Sequence, residues 1–444
     1  RSTLFPYTTL FRSPAGDIMG GFKTLGKAWK VPDIRKKMIF TLLMLLVFRI
    51  GSNIPIPGIN REVLANMFQG DNSLFSLFDM FSGGAFSNMT IFALSITPYI
   101  TASIIFQLLT ISIPAIERLA KEGMEGRKKI AQYTRYLTVL LAFIQAVGLA
   151  LGLFRKALVS TDFFSVAVVV LVLSAGTAFL MWLGEQINQY GLGNGISLVI
   201  FGGIIARLPH GIREAMIKYG EGTISSMTII LFILFAVVVV VGIIQVQQGQ
   251  RRIPVQYAKR VVGRKMYGGQ STHIPIKVNQ AGVIPVIFAI SLLHFPLTLT
   301  MFSPNSGFAL FINKWLSPYG SPGAWIYALL NIILIMFFTY FYTAVTFNPV
   351  EVSDNMRANG GFIPGIRPGK YTTEYLTKVM TRVTFAGALF LAVIATIPTL
   401  VTHFTGLNVH FGGTSLLIAV GVGLDTMKQL ENQMVMRNYE GFLK

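Results

Sequence analysis

The residues that could do chemistry are sparse and scattered. Five histidines, His210, His273, His294, His403 and His410, share no HxxxH or HExxH spacing, and there is no cysteine. Disulfides, thiolate-bound metals and redox thiols are therefore excluded, and no metal site is expected. No GxSxG, Walker or paired-carboxylate pattern occurs within an apolar segment, so no catalytic residue is nominated, no cofactor is expected, and the chain reads as no enzyme. Gly191-Leu192-Gly193-Asn194-Gly195 is rich in glycine but lacks a GK[ST] ending and any βαβ context, so it reads as a tight turn rather than a phosphate cradle. Charge within apolar sequence is rare. Arg49 at a helix centre would cost about 2.5–3.5 kcal/mol and so must face a cavity or snorkel. Glu185 and Asp425 lie near segment ends, and Asp425 can pair with Lys428 three residues on. Nothing here builds a proton or sodium relay, which favours a passive pore over a coupled transporter.

The elements around these residues are those of a polytopic membrane protein. Of 444 residues, 53% are hydrophobic and 12% charged, against about 25% charged in soluble domains, and the mean hydropathy is +0.61. Ten apolar segments are expected, at 38–56, 89–113, 136–154, 163–183, 194–208, 227–245, 281–302, 324–347, 383–404 and 412–430. Several are short or broken by Gly and Pro, which suits helices that line something. The net charge of +19 reads first as an orientation signal. Of 37 Lys and Arg, 29 fall on the side of the N-terminus, seven on the other, and Arg49 lies within the first segment. Both termini are thus expected in the cytoplasm. Residues 1–18 carry no initiator Met and differ in character from the rest of the chain; Met19 looks like a natural start, and the leader is read as foreign to the protein.

The stretch 73–107 organises the rest. Its first apolar piece, 74–81, would reach only about 12 Å as a helix, against a hydrocarbon core of about 30 Å. It carries Asp79 and is followed by Ser82-Gly83-Gly84-Ala85 and a segment long enough to span, interrupted by Pro98. Such a re-entrant piece is tolerated only where protein or an aqueous cavity surrounds it. Thr101, Gln145 and Asn279 are candidates to loosen a helix interface, the alternative being ordinary interhelical hydrogen bonds of about 0.6 kcal/mol each. Two loops exceed what orientation needs. In 246–280, the runs 253–257 and 271–276 alternate like a hairpin, with Arg251, Arg252, Lys259, Arg260, Arg264 and Lys265 around them. In 348–382, a stiff turn presents Arg367. These basic loops read equally as docking surfaces and as orientation signals.

Longer motifs carry a resemblance. FRIGSNIPIPG (48–58), MFSGGAFSNMTIFALSITPYITASIIFQLL (80–109), GRKKIAQYTRY (126–136), MWLGEQI (181–187) and GLGNGIS (191–197) are similar to the SecY family. So are QGQRRIPVQYAKR (248–260), QSTHIPIKVNQAGVIPVIF (270–288), FIPGIRPG (362–369) and FGGTSLLI (411–418), in register from about residue 19 to 444. The resemblance implies an all-α fold of ten transmembrane helices in two inverted five-helix halves, 38–208 and 227–430, around an hourglass pore. An amphipathic cytoplasmic segment (19–37) would precede them, an external hinge loop (209–226) join them and a cytoplasmic tail (431–444) follow.

It further implies a plug helix, about 74–86, carrying Leu74, Phe75, Leu77, Phe78, Met80, Phe81, Ser82, Gly83 and Gly84, and a constriction ring of Ile96, Ile100, Ile196, Ile200, Ile287 and Ile418. Without the resemblance each of these isoleucines is an ordinary core or lipid-facing residue. A lateral gate would lie between the second and third segments and the seventh and eighth, with Thr101, Gln145 and Asn279 on that seam. The implied partners are SecE as clamp, SecG at the periphery, SecA or the ribosome on the basic loops through Arg251, Arg252, Lys259, Arg260, Arg264, Lys265 and Arg367, secretory preproteins and signal peptides, and membrane lipids. The implied function is a protein-conducting channel in the bacterial cytoplasmic membrane. Two other readings compete: a ten-span solute transporter, which needs a midplane ion site, and a membrane scaffold for ribosomes, which has no use for a plug.

Overall fold

The computed structural model describes residues 26, 28–60, 63–64, 82–155, 157–160, 162–222, 225–257, 260–262, 265–267, 271–300, 306–316, 322–405 and 413–440. The expected leader, 1–18, lies outside them. The N-terminal half contains α1 (Pro32–Gly51), α2 (Thr97–Ser112), α3 (Pro114–Lys121), α4 (Met124–Gly148, continued by a wider π turn, Leu149–Leu153), α5 (Phe163–Tyr190) and α6 (Gly195–Gly220). The C-terminal half contains α7 (Ser226–Gln248), α8 (Ile284–Thr300), α9 (Gly307–Trp315), α10 (Gly323–Thr346), α11 (Pro349–Ala358), α12 (Lys370–Thr405) and α13 (Gly413–Glu440). Strands β1 (Gln250–Tyr257), β2 (Arg260–Val262), β3 (Lys265–Tyr267), β4 (Ser271–Lys277) and β5 (Gly361–Phe362) lie in the two long loops.

Each of the ten expected segments falls on a helix, but the helices are not equally fit to span. Among the described residues six are long and apolar enough on their own: Met124–Gly152, Phe163–Tyr190, Gly195–Ile217, Ile229–Gln248, Gly323–Ala358 and Lys370–Ile397. A seventh arises if α2 and α3, bent by 100° at Ile113, count as one. Lys36, Lys37 and Arg49 lower the apolarity of α1, Asp425 and Lys428 that of α13, and α8 has 17 residues.

The second expected segment is corrected at its start. Residues 89–96 are not helical: Met89 and Ser95 have φ of 45° and 54°, and α2 begins only at Thr97, with Pro98 in its first turn. Proline there lacks an N–H the helix would leave unbonded anyway, so it starts this helix instead of breaking one. The turns before it are held against the end of α1, where Ile56 N–H donates to the Met89 carbonyl (3.0 Å) and Ile91 N–H to that of Ile54 (3.1 Å).

Helix starts follow local chemistry. Asn194 Oδ1 accepts from Ile196 and Ser197 N–H at the start of α6, and Ser225, Ser306 and Asn348 cap α7, α9 and α11 in the same way. Within the N-terminal half α4 packs on α2 and α5, and α5 on α1 and α6; within the other half α10 joins α8 to α12, and α13 joins α12 to α7. The halves meet along two seams, α2 and α4 against α8, and α6 against α13. One apolar cluster lies between them, with Ile100, Leu180, Ile200, Val286, Ile335, Leu391 and Leu417 all buried.

Candidate functional site

Six isoleucines from four regions of the chain enter that central cluster. Ile96 precedes α2 and Ile100 follows it by one turn; Ile196 and Ile200 stand one turn apart on α6; Ile287 is on α8 and Ile418 on α13. Spacing of four puts Ile196 and Ile200 on one face of α6. Ile96, Ile100, Ile200, Ile287 and Ile418 are buried, and Ile196 packs partly exposed at the cluster's edge. Ile96, Ile100, Ile200 and Ile287 line one small cavity together with Ser95, Thr97, Ile290, Ser291 and His294; Ile196 and Ile418 are not among its lining residues. Ser291 and His294 went unnoticed in the sequence, although they follow Ile287 by four and seven residues and therefore share its face.

Beside the cluster lies the base of the expected plug. Leu74, Phe75, Leu77, Phe78, Met80 and Phe81 fall outside the described residues; Ser82, Gly83 and Gly84 fall within them. Ser82 is buried and its Oγ accepts from Phe86 N–H at 3.0 Å. Gly83 has φ +66°, and a Cβ there would stand 2.8 Å from Gly203 Cα of α6, so only glycine permits this backbone-on-backbone approach. Arg49, the charge expected to face a cavity or snorkel, donates from Nη1 to the Gly83 carbonyl at 3.3 Å.

The three polar seam candidates do not converge on one site. Gln145 lines a cavity bounded by Phe86, Ala93, Leu94, Ser95, Thr97, Leu149 and Thr298, where α2, α4 and α8 come together. Thr101 donates to the Thr97 carbonyl of its own helix at 3.1 Å. Asn279 is buried in the bend before α8 and donates to the Gly282 carbonyl at 2.9 Å. The eighth segment, α10, packs on α8. Glu185, a stray membrane charge by sequence, accepts from Arg135 Nε at 2.7 Å, which joins α5 to α4. Asp425 feels the charges of Lys428 and Lys277 but closes an ion pair with neither among the described residues, contrary to the expectation for Lys428.

The two basic loops are joined into one structure. β1 and β4 pair antiparallel, Ile253 opposite Ile274 and Val255 opposite Thr272. β5, from the second loop, adds to the other edge of β1 through Gln256 with Phe362 and Tyr257 with Gly361. Ile253, Val255 and Ile276 from the first loop bury themselves against Met356, Ile363, Leu376 and Val379 from the second. Arg251 and Arg252 are exposed on β1, and Arg367 is exposed in its turn, its carbonyl accepting from Thr372 Oγ1 at 2.9 Å. Arg260 and Lys265 belong to the short β2–β3 hairpin. Lys259 and Arg264 lie outside the described residues.

A family model described as SecY matches residues 90–427. The chain belongs to the SecY family. It is 49% identical to the protein translocase subunit SecY of Halalkalibacterium halodurans, over 95% of this chain and all of that one. To the SecY subunit of Streptomyces coelicolor it is also 49% identical, over 94% of this chain and 99% of that one. Among solved structures, one described as a protein-conducting channel superposes with a TM-score of 0.62 at 21% identity, covering 90% of this chain and 93% of that one. A second, described by the role of the SecY plug in stabilising the closed channel and maintaining a membrane seal, has a TM-score of 0.62 at 20% identity, covering 90% and 92%. A third, canine Sec61 in a ribosome–channel complex, has a TM-score of 0.58 at 21% identity, covering 90% and 93%. The SecY fold is therefore that of a multi-pass, all-α membrane protein, and its family is one of transport channels.

Proposed function

We propose that this chain is a protein-conducting channel of the bacterial cytoplasmic membrane. It passes unfolded secretory polypeptides through the centre of the molecule and releases apolar segments sideways into lipid. The observation that carries the reading is the convergence of Ile96, Ile100, Ile196, Ile200, Ile287 and Ile418 into one apolar cluster at the junction of the two halves. Bulky aliphatic side chains offer nothing that coordinates an ion, so a constriction made of them resists wetting. They also deform around an extended peptide without reading its sequence. The plug, with its base at Ser82, Gly83 and Gly84, seals the resting state. The lateral gate is the seam of α2 and α4 against α8, with Thr101, Gln145 and Asn279 along it. Hydrocarbon is the better solvent for an apolar signal helix, so the sideways exit runs downhill.

Both termini face the cytoplasm in this reading, and the joined basic loops form the docking surface there. Arg251, Arg252, Lys259, Arg260, Arg264, Lys265 and Arg367 meet SecA or the phosphates of ribosomal RNA, one partner at a time. SecE clamps the chain and SecG lies at its periphery. The chain itself hydrolyses nothing; the motor or the ribosome supplies the drive.

The test is site-specific crosslinking of a stalled secretory chain to an Ile287→Cys protein, which has no other cysteine. A crosslink that disappears when the cysteine is moved to lipid-facing Val238 places the polypeptide inside the ring. An active complex with no crosslink from position 287 refutes the ring.

A further inference from the structure

The short helix α9, GFALFINKW, belongs to neither ring, plug base, seam nor sheet. Ser306 starts it, its Oγ accepting from Ala309 N–H at 3.1 Å. Its nine residues rise only about 14 Å, less than half of a hydrocarbon core of about 30 Å, so α9 cannot span. It packs on α8 and α10. One sheet loop enters α8 at its start and the other follows the end of α10, so α9 joins the ends of these two helices that lie away from the sheet.

The surface of α9 divides three ways. Ala309 and Ile312 are buried against the protein. Phe308, Phe311 and Trp315, at spacings of three and four, form one exposed stripe beside Ile312. Asn313 and Lys314 are exposed on the remaining side, with Leu310 between them. The rings of Phe311 and Trp315 are 6.4 Å apart. Lys314 Nζ stands over the Trp315 ring, 5.6 Å from its centroid, which holds a cation at the edge of the apolar stripe. The stripe does not stop at α9. Leu292, Phe295 and Leu299 on α8, and Trp325, Leu329 and Ile333 on α10, form exposed apolar rows at helical spacing on the two helices that α9 packs against. In a multi-pass membrane protein such rows face acyl chains, and a stripe continuous with them meets the same solvent. Trp325 stands in the first turn of α10, so two tryptophans mark this end of the helix pair, as indole rings do where acyl chains give way to headgroups.

We propose that α9 is an interfacial foot, lying along the membrane surface with Phe308, Phe311 and Trp315 at the acyl-chain boundary and Lys314 on a phospholipid phosphate. An amphipathic helix with aromatic rings on one face and a lysine beside them is suited to that layer, and an ammonium meets a phosphate as a point charge. α8 also forms the seam with α2 and α4, so the foot sets the depth of that seam in the bilayer. The headgroup layer thereby gains a hold on one wall of the central cluster, to which α8 contributes Val286 and Ile287.

The test uses the full-length chain in phospholipid vesicles. It has no cysteine, so Phe308→Cys and Asn313→Cys can each carry a single nitroxide, with Phe311→Cys replacing Phe308→Cys if that protein does not assemble. Collision with dissolved oxygen, which concentrates among acyl chains, is compared with collision with a soluble nickel chelate, which stays in water. The expected result is stronger oxygen contact at 308 than at 313, with nickel contact in the reverse order. Nickel contact at both positions puts α9 in water and overturns the foot; oxygen contact at both sinks it below the headgroups and overturns it as well. Weak contact with either agent at 308 means that a protein surface covers the stripe, which also overturns it. Lys314→Glu, added to the labelled Phe308→Cys protein, tests the phosphate. Repulsion should shift the label toward water and lower its oxygen-to-nickel ratio; an unchanged ratio overturns the contact between Lys314 and lipid phosphate.

Discussion

At the scale of residues, Gly83 and the isoleucines of the proposed ring make opposite demands. Gly83 sits in a left-handed conformation against Gly203, with its carbonyl held by Arg49. Gly83→Ala adds a Cβ in a conformation that costs a non-glycine residue about 1–3 kcal/mol. If the plug base is released to escape that strain, the closed-to-open ratio falls roughly 5- to 150-fold, and the resting ion leak of reconstituted vesicles rises accordingly. An unchanged leak would separate Gly83 from the seal. At the proposed ring the needed property is the absence of polarity. Ile100→Ser removes up to about 1.5–3 kcal/mol of apolar burial and gives water a hydroxyl to bond, so chloride and sodium conductance should rise while the protein still assembles. Little of this was legible one residue at a time. An isoleucine in a membrane protein carries no mark of its role, and the ring members are separated by up to 322 positions; only the family motifs pointed to them. Arg49 did announce itself, because a charge in apolar sequence must find something, but its partner was beyond reach of the sequence.

At the scale of elements, the loop hairpin was legible and its third strand was not. Alternation in 253–257 and 271–276 places Ile253, Val255 and Ile276 on one face, and the structure buries all three. β5 has two residues, too few to show a period, and its pairing with β1 spans more than a hundred positions. The second segment was misjudged for a related reason: the apolar run from 89 onward gives no sign of positive φ at Met89 and Ser95, nor of the backbone hydrogen bonds that tie Met89 and Ile91 to the stretch after α1. The third strand can be tested directly. A side chain at Gly361 would come within 2.8 Å of Met356 Cγ and Tyr257 Cε1, so Gly361→Val should detach β5 from β1. Ribosome binding measured by co-sedimentation should then weaken although Arg251, Arg252 and Arg367 are all present; equal binding would mean that the two loops act independently. Arg252→Ala and Arg367→Ala should each reduce the slope of log affinity against log salt by about one.

At the scale of the whole molecule, membrane-protein helices associate through close packing, because lipid is as apolar as a leucine side chain. Gly184 and Gly195 supply one such contact, where α5 and α6 touch backbone to backbone. Gly195→Ala overpacks it at a cost of typically about 1–3 kcal/mol and should lower the unfolding temperature in detergent. An unshifted melting curve would mean that the helices part freely there. Ten apolar segments were legible because hydropathy is local; how the seams are assembled was not, because it depends on which helices meet. The sheet that joins the two basic loops has a mechanical consequence at this scale. One loop emerges between α7 and α8, the other between α10 and α12, so four helices of the same half share a single handle. A machine that grips the handle cannot tug one helix alone. Any push or twist is delivered to that half as a unit, like a crank on a door, and the force arrives undivided at the seam of α2 and α4 against α8.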